Sequence, residues 1–359
     1  MTSSAELRSR KGSLAAAVAI IAVVVLVAAA CGSKSNASST SSTSPNTSKT
    51  LVGAGSTLIA PLMSQWQPAY DTATGVAVTY GAIGSGGGIA QITARTVDFG
   101  ASDAPLTPDQ FTAAKSVVQI PWALAATLVA YNVKGVPNQL KLTGSVLADI
   151  WLGKVKTWND PAISALNPGV TLPSTKIIPV YRTDGSGDTY AFTDYLSRVS
   201  PQWKSQVGNS TQVHFPTGLG GKGNSGVGGV LSSTNGAIAY IAISYVFANK
   251  FDYALVQNAA GKYPVPGIPS ISAAAAALTS VPSNNQVSIV DPPASAPGAY
   301  PISTFTYALV PLSSPKAATL KPFLSWAITT GQQFGSKLEF APLPSMVVTA
   351  DKATIARIK

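Results

Sequence analysis

Histidine and cysteine, two residue types central to much enzyme chemistry, occur only once each in this 359-residue chain. The lone His214 lies beside Phe215 and Pro216 and reads as structural or surface. A single histidine gives no basis for a Ser-His-Asp relay or a histidine metal cluster, and H-E-x-x-H, C-x-x-C and G-x-S-x-G are absent. One cysteine excludes an internal disulfide. Charge is also scarce, at 11% of residues, and the 24 basic residues are dispersed rather than run together, which excludes a nucleic-acid surface. The phosphate-cradling G-x-x-x-x-G-K-[ST] loop fails as well: Gly221-Lys222 is followed by Gly223, and the upstream glycine is missing. No tandem repeat of fixed period occurs.

The first segment is an address. Arg8, Arg10 and Lys11 precede an uncharged apolar run from Leu14 to Ala30, and Cys31-Gly32-Ser33 follows small residues. That is the layout of a secretory signal over residues 1–30, with a retained anchor helix as the alternative. Cys31, directly after Ala28-Ala29-Ala30, resembles a bacterial lipobox cysteine, lipidated to become the new N-terminus; the usual Leu or Val three residues earlier is here Ala28. From Ser35 to Ser48 the chain is almost entirely Ser, Thr, Asn and Pro, so residues 31–49 form a tether and folding begins near Thr50. Without residues 1–30 the chain keeps 21 basic and 13 acidic residues, a net +8 suited to anionic cargo.

From Leu51 onward strands and helices alternate, which predicts an α/β architecture with mainly parallel strands. Leu58, Leu62, Trp66 and Tyr70 share a helical face, with Pro68 expected to kink it. Strand patterns recur at 76–80, 97–101, 117–133, 177–181, 237–246 and 301–310, with helical patterns near 190–199 and 320–330.

Three loops share one character. Gly55-Ser56-Thr57-Leu58, Gly84-Ser85-Gly86 and Gly185-Ser186-Gly187 each place a hydroxyl among glycines just before a helix. Helix N-termini present unpaired N–H groups that bind oxyanions, and glycine permits close approach. A plain N-cap serine is the alternative at each loop.

At these loops the chain resembles the PstS family of phosphate-binding proteins. The resemblance is carried by Gly53-Ala54-Gly55-Ser56-Thr57, Ile83-Gly84-Ser85-Gly86-Gly87-Gly88, Val97 to Leu106, Trp151 to Trp158, Arg182-Thr183-Asp184-Gly185-Ser186-Gly187 and Gly218 to Asn224, in order along the chain. It implies a type II periplasmic-binding fold, in which two α/β lobes joined by a hinge hold the ligand in their cleft. Lobe I is expected at 50–122 plus 302–359 and lobe II at 123–301. It implies capture of inorganic phosphate outside the membrane by a monomer, delivery to the permease subunits of an ABC transporter, and no metal, cofactor or catalytic residue. By the same resemblance Thr57, the Leu58 N–H, Ser85, Ser186 and Gly187 donate to phosphate, alongside Ser56 in the first loop. Arg182 supplies the charge, steadied by Asp184, and Asp103 accepts.

An accepting carboxylate suits only an anion that still carries a proton, so Asp103 separates phosphate from fully ionised sulfate. The alternatives are that Asp103 closes the Ser102-Asp103-Ala104-Pro105 turn and that Arg182 forms a surface ion pair. Where the family pattern continues Gly-Ser-Gly-Thr, this chain has Asp188. It either suits the start of the following helix or is a second acceptor for phosphate protons. The rival functions are a phosphate-handling hydrolase, a tethered glycan-binding envelope protein, and the same fold with sulfate, molybdate or a phosphonate as cargo.

Overall fold

The computed structural model describes residues 49–359; the expected signal segment, Cys31 and the tether through residue 48 lie outside the described residues. The chain opens with β1 (Thr50–Gly55), α1 (Ala60–Thr74), β2 (Ala77–Ala82), α2 (Ser85–Thr93), β3 (Phe99–Ser102) and α3 (Pro108–Ala114). Next come β4 (Val117–Asn132), β5 (Lys141–Leu142), α4 (Gly144–Trp151), α5 (Pro161–Ser164), β6 (Ile178–Arg182), α6 (Gly187–Val199) and α7 (Pro201–Gln206). After these come β7 (Leu219–Gly221), α8 (Gly223–Ser233), β8 (Ala237–Ala242), α9 (Ile243–Asn249), β9 (Asp252–Tyr253) and β10 (Leu255–Val256). The last part holds α10 (Ile268–Ala276), β11 (Ser303–Pro311), α11 (Ala317–Ala327) and α12 (Ser345–Ala356).

The main sheet runs β2-β1-β3-β11-β4-β8-β6-β7, with β9 added beside β4. Its flanks are parallel, as expected of strands joined by helices, but its centre is not: β11 pairs antiparallel with β3 and β4, and β8 antiparallel with β4. The expectation of mainly parallel strands is thus corrected at the centre. Strand β4 reaches across it, pairing with β11 over 117–126 and with β8 over 127–132. Both faces of these central strands are covered, so β4 reads as a near-continuous apolar run and β11 as one from Tyr307 onward, after the hydroxyl-bearing Ser303, Thr304 and Thr306.

Local chemistry explains most elements. The expected apolar face is buried: Leu58, just before α1, and Leu62, Trp66 and Tyr70 within it sit in the core, where Trp66 packs edge-on against Trp122 at 5.4 Å. Pro68 does not end α1, which continues to Thr74. Pro68 and Ser64 are exposed, so the Ser64 carbonyl deprived of its helical donor faces solvent. The apolar run at 237–246 is a strand only to Ala242 and then turns into α9; apolarity alone cannot separate a buried strand from a buried helix. The stretch 218–229, seven glycines in twelve residues, folds into β7 and the start of α8. Its glycines permit close packing, since a Cβ on Gly221 would lie 2.6 Å from the Val227 nitrogen.

Candidate functional site

Strands β1 and β3 run one way and β6 the other, across the antiparallel centre, so the residues that follow their carboxyl ends converge head-on. The site thus lies beyond the carboxyl ends of strands from both halves, the position at which α/β sheets place ligands. All three glycine–hydroxyl loops meet here. Ser56, Thr57, Ser85, Asp103, Arg182, Ser186, Asp188 and Asn224 are all buried. They come from the β2-side half of the sheet and from the β7-side half.

Asp103 is the centre of one network. Its Oδ2 accepts from Ser56 Oγ at 2.6 Å and from Ser85 Oγ at 3.4 Å, and its Oδ1 accepts from Thr306 Oγ1 at 2.9 Å. Thr306 lies where the β4–β11 register shifts, and this irregularity in the ladder accompanies its aim at Asp103. Asp103 does not close its own turn: Ser102 Oγ does so, accepting from the Ala104 N–H at 3.1 Å. Ser85 Oγ accepts from the Asp103 N–H at 3.2 Å and from the Gly187 N–H at 3.0 Å, linking the two halves. A Cβ on Gly187 would sit 2.3 Å from the Asp103 Cβ, so only glycine allows this approach.

Arg182 anchors the second network. Its side chain is 1% exposed, which sets aside a surface ion pair. Nε and Nη2 form a fork on Asp184, and Nη1 meets Asp188 Oδ2 at 3.1 Å. Asp184 is fixed in turn by the Gly223 N–H at 2.9 Å. Asp188 lies in the first turn of α6, and both of its oxygens accept hydrogen bonds. Thr127 Oγ1 donates to Oδ1 at 2.7 Å, and Asn224 Nδ2 donates to Oδ2 at 2.8 Å. Ser186 caps α6, its Oγ accepting from the Thr189 N–H at 3.3 Å, while the Leu58 N–H turns to Ser56 Oγ at 3.0 Å.

Sequence reasoning gave no role to Thr127, Thr306 or Asn224. Asn224 stood at the end of a quoted motif, and the two threonines are polar residues inside apolar strands, which was the signal available.

Three carboxylates and one guanidinium make this site electrostatically tense. Burial opposes the Arg182 charge, but Asp184 and Asp188 outweigh it and hold the guanidinium above its ordinary pKa. Burial likewise opposes ionisation of Asp184, yet Arg182 and the Gly223 N–H keep it below the usual carboxylate range. Burial, then the charge of Asp188, pushes Asp103 up to about 7. Burial also raises Asp188, against the pull of Arg182, Thr127 and Asn224. The cluster therefore combines convergent donors with a carboxylate poised to exchange a proton near neutrality.

The sequence profile of the PBP superfamily domain matches residues 40–330. A phosphate-binding protein PstS from Xylella fastidiosa is 43% identical over 305 residues, covering 84% of this chain and 83% of its own. One from Pasteurella multocida is 39% identical over 305 residues, covering 84% and 88%. The chain belongs to the PstS family of phosphate-binding proteins. Among solved structures, a phosphate-binding protein from Stenotrophomonas maltophilia superposes with a TM-score of 0.69 at 18% identity, over 85% of this chain and 93% of that one. A high-affinity periplasmic phosphate-binding protein, PfluDING, solved with phosphate bound, superposes with a TM-score of 0.68 at 19% identity, over 85% and 93%. These two likenesses concern the fold, which is the type II periplasmic-binding fold. The PstS relatives are named as binding proteins rather than enzymes.

Proposed function

We propose that this chain captures inorganic phosphate outside the cytoplasmic membrane and delivers it to the permease subunits of an ABC importer, without turnover. The observation that carries the reading is Asp103, a buried acceptor ringed by hydroxyls and facing a half that bears Arg182. Arg182 is already matched by Asp184 and Asp188, so an incoming anion gains little net charge attraction. It must be held by donors and must bring its own proton to Asp103. Hydrogen phosphate does both, and fully ionised sulfate does not.

In this reading Thr57 and Ser186 donate to phosphate, joined by Ser56, Ser85, the Leu58 N–H and the Gly187 N–H as these exchange the bonds they make to one another and to Asp103 for bonds to the anion, and Asp188 receives a second proton where the ligand brings one. Lobe I, 50–122 with 302–359, and lobe II, 123–301, close around it about β4 and β11. Residues 1–30 direct export, Cys31 carries the lipid that holds a monomer to the outer face of the membrane, and residues 31–49 form the tether. The family membership supports the cargo and the importer, and the sequence pattern supports the anchor.

The test is calorimetric titration of the soluble form starting at Thr50 with phosphate and with sulfate, together with a phosphomonoesterase assay. Micromolar or tighter phosphate binding, at least about 10⁴-fold weaker sulfate binding and no hydrolysis are expected. No heat with phosphate overturns the reading.

A further inference from the structure

Asn224 makes four hydrogen bonds at the meeting point of the two halves. Its Oδ1 accepts from the Ala242 N–H at 2.9 Å, which fixes which way the amide points. With the oxygen so committed, Nδ2 faces the site and donates both to Thr57 Oγ1 at 2.9 Å and to Asp188 Oδ2 at 2.8 Å. Its backbone N–H donates to Thr57 Oγ1 as well, at 3.3 Å. Asn224 is 0% exposed, so none of these groups has water as an alternative partner.

The consequence lies at Thr57. A hydroxyl oxygen has two lone pairs and one hydrogen. Asn224 fills both lone pairs, so the only capacity left to Thr57 is to donate. A hydroxyl locked as donor fits an anion oxygen and repels a donor in the same place. The same amide also bridges the turn before α1 to the start of α8, across the two halves. We infer that Asn224 is the positioning residue of the anion site, locking Thr57 as an outward donor, holding Asp188 in place and latching the halves together. The inference rests on the phosphate reading above.

Two substitutions separate this role from a merely structural one. Asn224→Asp keeps the acceptor for the Ala242 N–H and loses the donors, setting a carboxylate against Asp188. Phosphate affinity should fall at least about 100-fold near pH 8 and recover partly near pH 6, where the new carboxyl takes up a proton. Asn224→Ala should weaken binding roughly 10- to 100-fold at both pH values, with the loss in the dissociation rate rather than the association rate. Melting curves establish that each variant is folded. Should Asn224→Asp bind like wild type at both pH values, or should Asn224→Ala leave the dissociation rate unchanged, the inference is wrong while the phosphate reading stands. Wild-type protein that takes up no phosphate overturns both.

Discussion

The hydroxyl of Thr127 donates to Asp188 Oδ1 at 2.7 Å, joining the strand that spans the sheet to the carboxylate beside Arg182. Thr127 is the residue at which β4 passes from pairing with β11 to pairing with β8, so the site is wired to the place where the two halves meet. Thr127→Val keeps the shape and removes the donor. Its hydrogen bond lowers the Asp188 pKa, so the variant should raise that pKa and weaken phosphate binding by roughly 5- to 100-fold, measured by titration at neutral pH. Unchanged affinity would separate the strand crossing from the site.

Asp103 should control which anion enters. Asp103→Asn retains the volume but can donate, so it no longer requires a proton from the ligand. Phosphate binding should weaken about 100-fold or more, and the preference over sulfate should shrink by a similar factor. Competition between the two anions measures this; a variant that still rejects sulfate like wild type contradicts the role.

Affinity should vary with pH in a defined direction. Burial and the Asp188 charge place Asp103 at about 7 in the folded chain. At lower pH this carboxyl holds a proton that it must release before it can accept one from phosphate, so affinity rises with pH up to about 7. Above that, phosphate carries fewer protons. With Asp188 as second acceptor affinity then falls again, giving a maximum near neutrality. Asp188→Asn should turn this maximum into a rise to a plateau. Titrations from about pH 6 to about pH 8 decide it, and a flat wild-type profile rejects it.

Stability should decline with rising pH because of a residue remote from the site in sequence. Asp351, on α12, is fully buried, and neither of its carboxyl oxygens has a hydrogen-bond partner among the described residues. Burial pushes its pKa up to about 9. The folded chain thus keeps a proton that the unfolded chain releases above about pH 4. The stability this contributes is complete below that pH and is lost progressively as pH rises through about 9. Asp351→Asn should melt several degrees above wild type at about pH 8.5, each kcal/mol regained being worth on the order of 2–4 °C, and should lose that advantage near pH 4. Parallel melting curves at all pH values would contradict this.

Much of the site was legible because anion binding uses local grammar. A glycine–hydroxyl pair before a helix announces itself within four residues, and Arg182-Thr183-Asp184-Gly185-Ser186-Gly187 is one continuous word. Asn224, Thr127 and Thr306 were not legible in the same way. They reach the site through pairings 36 to 203 residues distant in sequence, which no local pattern encodes. The fold shows the same division. The buried face of α1 could be counted out at Leu62, Trp66 and Tyr70, with Leu58 just before the helix, whereas the antiparallel centre depends on β11 returning beside β3 and β4 from far along the chain. The boundary at Ala242 was lost because strand β8 and helix α9 are both apolar and both buried.

Strand β4 runs unbroken for 16 residues, laddered to β11 along one part and to β8 along the rest. A connection of that kind has no slack. Any parting of the halves has to be taken up as torsion along hydrogen-bonded ribbons rather than as free swivelling of a loose linker, so it stores elastic energy that grows roughly as the square of its amplitude. The mouth of such a fold springs rather than dangles, and opening it works against a restoring force.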